Sequence, residues 1–91
     1  MGEAAETTVA NHQELDVTIR VVSSVGSFVD FDGQEGFIDQ TKHPSWWADT
    51  EPPRAGDRVH VVVLDDSRTP PRLSALEDDI EIGRRLRGDS T

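Results

Sequence analysis

Apolar and polar residues alternate from Leu15 to Val21, with Leu15, Val17, Ile19 and Val21 set between Asp16, Thr18 and Arg20. Period two is the mark of a half-buried strand, here beginning at Glu14. Val22 breaks the alternation ahead of Ser23-Ser24, which predicts a bulge or bend there. Gly26 then opens a second strand, Ser27-Phe28-Val29-Asp30-Phe31, and Asp32-Gly33 is a strong hairpin signal. Glu35 to Asp39 is the return strand. With Val29 and Phe31 inward, Phe28 and Asp30 face solvent. Arg58 to Leu64 is the strongest strand pattern: Val59, Val61 and Val63 share one face, and Arg58, His60, Val62 and Leu64 the other. Arg72 to Leu76 reads as a fifth short strand.

The period changes after Leu76. Glu77 to Arg87 reads as a helix with an apolar stripe of Leu76, Ile80 and Leu86. Glu77, Asp78 and Asp79 fall in its first turn and Arg84, Arg85 and Arg87 in its last, as the helix dipole favours. Gly83 weakens this helix and Gly88 is placed to end it. Between the third and fourth strands lies a long, proline-rich connection, Gln40 to Asp57. It holds Ser45-Trp46-Trp47, where Ser45 is expected to cap one helical turn. The two tryptophans either pin this loop over the end of a barrel or, beside Lys42 and His43, stack on a ligand ring. Residues 1–13 lack periodicity and are expected to form a disordered tail. The expected organisation is thus a tail over 1–13, a barrel over 14–76, and a C-terminal helix and tail over 77–91. The fold class is all-β: a five-stranded antiparallel barrel of the oligonucleotide/oligosaccharide-binding (OB) type.

Composition narrows the chemistry. The chain has 91 residues, no cysteine, and a formal net charge of −9 from 18 acidic and 9 basic residues. Without cysteine there is no disulfide, thiolate zinc site or cysteine nucleophile. His12, His43 and His60 are scattered without metal-ligand spacing, and no phosphate-binding glycine loop or framed nucleophile occurs. Neither an enzyme nor a metal or other cofactor is expected. No apolar run is long enough to cross a bilayer, and the acidic N-terminus does not read as a signal peptide, so a cytoplasmic monomer is expected. The acidic excess is spread along the whole chain. That weakens phosphate binding and fits either solubility or docking on a basic protein.

Four pieces in order carry a family resemblance. They are Val25-Gly26-Ser27-Phe28-Val29-Asp30-Phe31, then Glu35-Gly36-Phe37-Ile38, then Gly56-Asp57-Arg58-Val59-His60-Val61-Val62-Val63, and last Asp66 with Arg72-Leu73-Ser74. Together they resemble the S1-type RNA-binding domain over Val17 to Leu76. The resemblance implies a single-stranded RNA surface with Phe28 as an aromatic contact and Asp66 and Arg72 beside it. Val25 stands where the family has a first aromatic, and Asp39 where it has a histidine. Arg20, Arg58, His60 and Lys42 are candidates to add positive potential to this surface. The expected function is weak, sequence-tolerant binding of single-stranded RNA by stacking on Phe28. The alternatives are an acidic module that docks on a basic ribosomal or other RNA-associated protein, and a barrel whose ligand site lies around Trp46 and Trp47.

Overall fold

The structure, a computed structural model, describes residues 9–48 and 50–88. Five strands form: β1 (Glu14–Val22), β2 (Gly26–Phe31), β3 (Gln34–Asp39), β4 (Arg58–Asp65) and β5 (Arg72–Ser74). A 3-10 turn (Gln40–Lys42) and a short helix α1 (Pro44–Trp47) occupy the connection after β3. Helix α2 (Glu77–Arg87) follows β5. The strands make a closed barrel in the order β1-β2-β3-β5-β4, the OB-like arrangement expected.

One strand pair departs from the antiparallel expectation. β3 and β5 run parallel, with Phe37 opposite Arg72 and Ile38 opposite Leu73. The reason is arithmetic. Strand direction cannot alternate around a closed ring with an odd number of members, so at least one neighbouring pair must be parallel. Residues 40–71, with β4 among them, join the two parallel strands, as needed because a parallel pair cannot be joined by a tight hairpin.

The turn residues act as their chemistry demands. Asp32 and Gly33 have φ of 53° and 78°, the doubly left-handed pattern of a two-residue hairpin. The bulge lies earlier than expected. Ile19 pairs with Val29 and Val21 with Phe28, so Arg20 is the extra residue in β1. After the bulge Val21 stands opposite Phe28 on the outer face and Val22 opposite Ser27, and both valines are exposed.

Alternate positions of every strand fill the barrel. Val17, Ile19, Val29, Phe31, Ile38, Val61, Val63 and Leu73 are all buried in one cluster. Val62 was expected on the outer side of β4, and it is there, yet it is buried as well. Helix α2 covers it. A Cβ on Gly83 would sit 2.8 Å from a Val62 methyl, so this glycine lets the helix approach β4 closely. Ile80 is the helix's other buried residue, whereas Leu86 is 62% exposed. The expected stripe through Leu86 fails because position i+6 from Ile80 lies on a different face, while Gly83 at i+3 shares its face. Gly88 ends the helix in the left-handed conformation, φ 83°.

Residues 9–13, expected in the tail, lie along the barrel. Val9 joins the core, and His12 N–H donates to Val63 O at 2.8 Å while Val63 N–H donates to Gln13 O at 2.8 Å. Residues 1–8 of that expected tail are outside the described residues.

Candidate functional site

The hairpin register assembles one row of side chains across the outer surface of the barrel. Val21 pairs with Phe28, Phe28 with Phe37, Phe37 with Arg72, and Arg72 with Asp65. The Phe28 and Phe37 rings are 5.0 Å apart between centroids and tilted by 57°, within the range aromatic pairs prefer. The Arg72 guanidinium carbon stands 4.9 Å from the Phe37 ring centroid, a cation–π contact. Gly26 makes room for this cluster, because a Cβ there would strike the Ile38 carbonyl oxygen and the Phe37 ring. Val25, Phe28, Phe37, Arg68, Thr69, Pro70 and Arg72 together line an open cleft of about 290 Å³. Its floor is aromatic and its β4–β5 loop side is cationic. Such a cleft can receive a flat ring and hold an anion beside it. Arg68 and Arg72 form no ion pair among the described residues.

Carboxylates flank the cleft at both ends. Asp30 pairs with Glu35 toward the hairpin turn. At the other end Asp39 accepts from Thr41 N–H at 2.9 Å and from Thr41 Oγ1 at 2.8 Å. The backbone hydrogen bond from Thr41, with help from its hydroxyl and from nearby Arg72 and Lys42, holds the Asp39 carboxyl below its usual range. Asp39 therefore caps the 3-10 turn, a task its place in the sequence alone does not reveal.

Of the residues expected at the surface, Phe28 and Arg72 meet in this cleft, with Val25 on its rim. The others are placed elsewhere. Asp66 exchanges hydrogen bonds with Asn11, at 3.1 and 2.7 Å. Lys42 lies 3.2 Å from Asp79 at the start of α2. Arg20 is the exposed bulge residue, and Arg58 sits on β4 opposite Thr18, on the far side of β1 from β2. His60 contacts Glu14 Oε1 and Asp16 Oδ1, each at 2.7 Å. Those two carboxylates, Glu14 first, raise its pKa above the ordinary value. Arg84 and Arg87 from α2 close on the other oxygen of Glu14 at 2.7 and 2.6 Å. The hydrogen bonds from Arg84, His60 and Arg87 hold the Glu14 carboxyl far below its usual range.

Phe37 and Arg68 belong to the cleft and were missing from the sequence-based set. Phe37 was legible in principle. An Asp32-Gly33 two-residue turn makes paired positions sum to a constant, which sets Phe37 opposite Phe28. Arg68 lies in a loop with no period to read.

The tryptophans lie on α1. Its cap is His43, not Ser45: the His43 Nδ1 accepts from Ser45 N–H at 3.1 Å, and Pro44 takes the first helical position. Trp47 donates its indole N–H to Thr41 O at 2.7 Å, and Trp46 is 50% exposed. Trp46 lines a second cleft of about 180 Å³ with Val22, Ser23, Gly26, Ser27, Gln40, His43, Ser45 and Pro53. Among the described residues no group of three or more His, Asp or Glu is placed to hold a metal, and no helix is long and apolar enough to cross a membrane.

No family model matches the chain, and no curated protein does. Solved structures do. A multidomain protein with nucleic acid binding domains from Streptococcus pneumoniae superposes with a TM-score of 0.59 at 18% identity, covering 72% of this chain and 22% of that one. An uncharacterised protein from Methanocaldococcus jannaschii gives 0.63 at 10% identity, covering 78% and 97%. A chain of an a/eIF2α–aDim2p–rRNA complex from Pyrococcus horikoshii gives 0.65 at 17% identity, covering 87% and 53%. The chain thus spans about a fifth and about half of the first and third of these. At such identities the likeness is one of fold: the barrel of this chain is the barrel those proteins contain.

Proposed function

We propose that this barrel is a non-catalytic module that binds single-stranded RNA weakly and with little sequence preference. One observation carries the reading: on the outer face of β2 and β3, Phe28 and Phe37 form an aromatic floor with Arg72 against it and Arg68 beside it. A base stacks on the half-buried Phe28 ring, and the guanidinium of Arg68 or Arg72 meets the adjoining phosphate. The presence of the same barrel in a protein with nucleic acid binding domains and in a complex containing rRNA supports the reading. The carboxylates of Asp30, Glu35 and Asp39 around the cleft and the net charge of −9 keep the affinity low.

The test is a titration of the chain with a single-stranded oligoribonucleotide at low salt, followed by amide chemical shifts. Shifts centred on Phe28, Phe37 and Arg72 are expected. Phe28→Ala should weaken binding by about 1–3 kcal/mol. Absence of shifts at these residues, or shifts equal in the variant, would refute the proposal. Binding of a basic protein at this face in place of RNA would favour the acidic docking module.

A further inference from the structure

One wall of the second cleft carries a polar group. Ser27 occupies the inward row of β2, in step with Val29 and Phe31, where the strand pattern calls for an apolar side chain. It is only 2% exposed, and its hydroxyl makes no hydrogen bond to the described residues. The hydroxyl is not sealed from solvent, so water or a ligand group in the cleft can meet it. Ser27 lines the cleft whose other walls include the apolar Val22, Trp46 and Pro53. A second polar group stands ready there. His43 Nδ1 accepts from Ser45 N–H, so the neutral ring carries its proton on Nε2 as a donor. Burial pushes the His43 pKa down, which keeps the ring neutral near pH 7.

We propose that this cleft is a second nucleobase site, in which one heteroaromatic ring enters among Trp46, Val22 and Pro53 with its polar edge on the Ser27 hydroxyl. The size fits. About 180 Å³ is below the ~300–1,000 Å³ of sites for drug-sized ligands, and suits a base without its sugar. The position fits too. Val25 lines the first cleft and Gly26 the second, so the two share the β1–β2 turn as a common wall. A single strand crossing that turn sets one base against Phe28 and a neighbouring base against Trp46. The inference rests on the single-stranded RNA reading of the first cleft and extends it to the tryptophan loop.

The chain labelled with 5-fluorotryptophan gives one fluorine signal for Trp46 and one for Trp47, assigned with Trp46→Phe and Trp47→Phe. Hexa-adenylate and hexa-uridylate serve as probes at low salt, with amide shifts at Phe28 and Arg72 read in the same samples. The Trp46 signal should move on titration and the Trp47 signal should not. Ser27→Ala removes only the hydroxyl oxygen and should weaken the Trp46 response by about threefold to tenfold. Phe28→Ala should leave a Trp46 response to free adenosine intact. Amide shifts at Phe28 with a static Trp46 signal would overturn the second site and leave the first standing. A Trp46 response unchanged by Ser27→Ala would overturn the role of the hydroxyl. Silence at both clefts would remove both proposals.

Discussion

Two phenylalanines on adjacent strands have different duties, and exposure separates them. Phe28 is half-buried, while Phe37 is 7% exposed and lies between Gly26, Phe28 and Arg72. Removing a buried Phe costs about 3–5 kcal/mol, a large share of the ~5–15 kcal/mol that stabilises a typical domain. Phe37→Ala should therefore lower the thermal midpoint by more than about 10 °C. Phe28→Ala should lower it by less than half as much while losing more oligonucleotide affinity. Melting curves of the two variants by circular dichroism check the order, and equal losses would show that Phe28 is a core residue. Period two was enough to put Phe28 on the outer face, because Val29 and Phe31 are unambiguous core residues on either side. Phe37 needed the register of the whole hairpin. The capping duties of Asp39 and His43 depend on atoms brought together by the loops, which no period encodes.

At the level of elements, the strands were legible because each buries one face, and a slip of one residue would expose every core side chain. The docking of α2 was not legible. Glu14 meets Arg84 and Arg87, 70 and 73 positions away, and nothing local in the sequence signals such pairs. Arg87 also donates to the His12 carbonyl oxygen, so one cluster ties the N-terminal segment, β1, β4 and α2 together. This clamp has a pH signature. The His60 pKa is raised above its ordinary 6.5. The folded state then holds a proton that the unfolded state releases, and the His60 contribution is complete below pH 6.5 and lost as pH rises through the raised value. Glu14 is shifted down from 4.5, so its contribution is complete above that pH and is lost only in stronger acid. His43, lowered by burial, acts oppositely to His60, but it is present in both wild type and a His60 variant and cancels in their difference. The stability difference between wild type and His60→Asn should be largest from about pH 5 to 6.5 and shrink toward about pH 9. Urea unfolding across that range measures it. A difference that is flat, or grows with pH, would mean that His60 is not charged in the clamp.

For the whole molecule, charge bears on the proposed RNA binding. The chain carries 18 acidic residues against 9 basic ones, which opposes the approach of phosphates. The structure resolves part of the tension by position. Lys42, Arg84 and Arg87 are turned to Asp79 and Glu14, and Arg54 and Arg85 stand near Glu51 and Glu81. Arg68 and Arg72 line the aromatic cleft with no such pairing among the described residues. Two cations can neutralise about two phosphates, and each phosphate on a single strand contributes about −0.7 to the slope of log K against log salt. Binding should therefore show a slope of about −1.4, shallow for a nucleic-acid binder, with stacking supplying most of the affinity. Arg72→Gln should bring the slope to about −0.7, and Phe28→Ala should lower affinity at every salt concentration without changing it. Fluorescence titrations at several salt concentrations measure all three. A slope steeper than about −3 would require phosphates on Arg20 or Arg58, outside the cleft, and the strand would then follow a different path over the barrel.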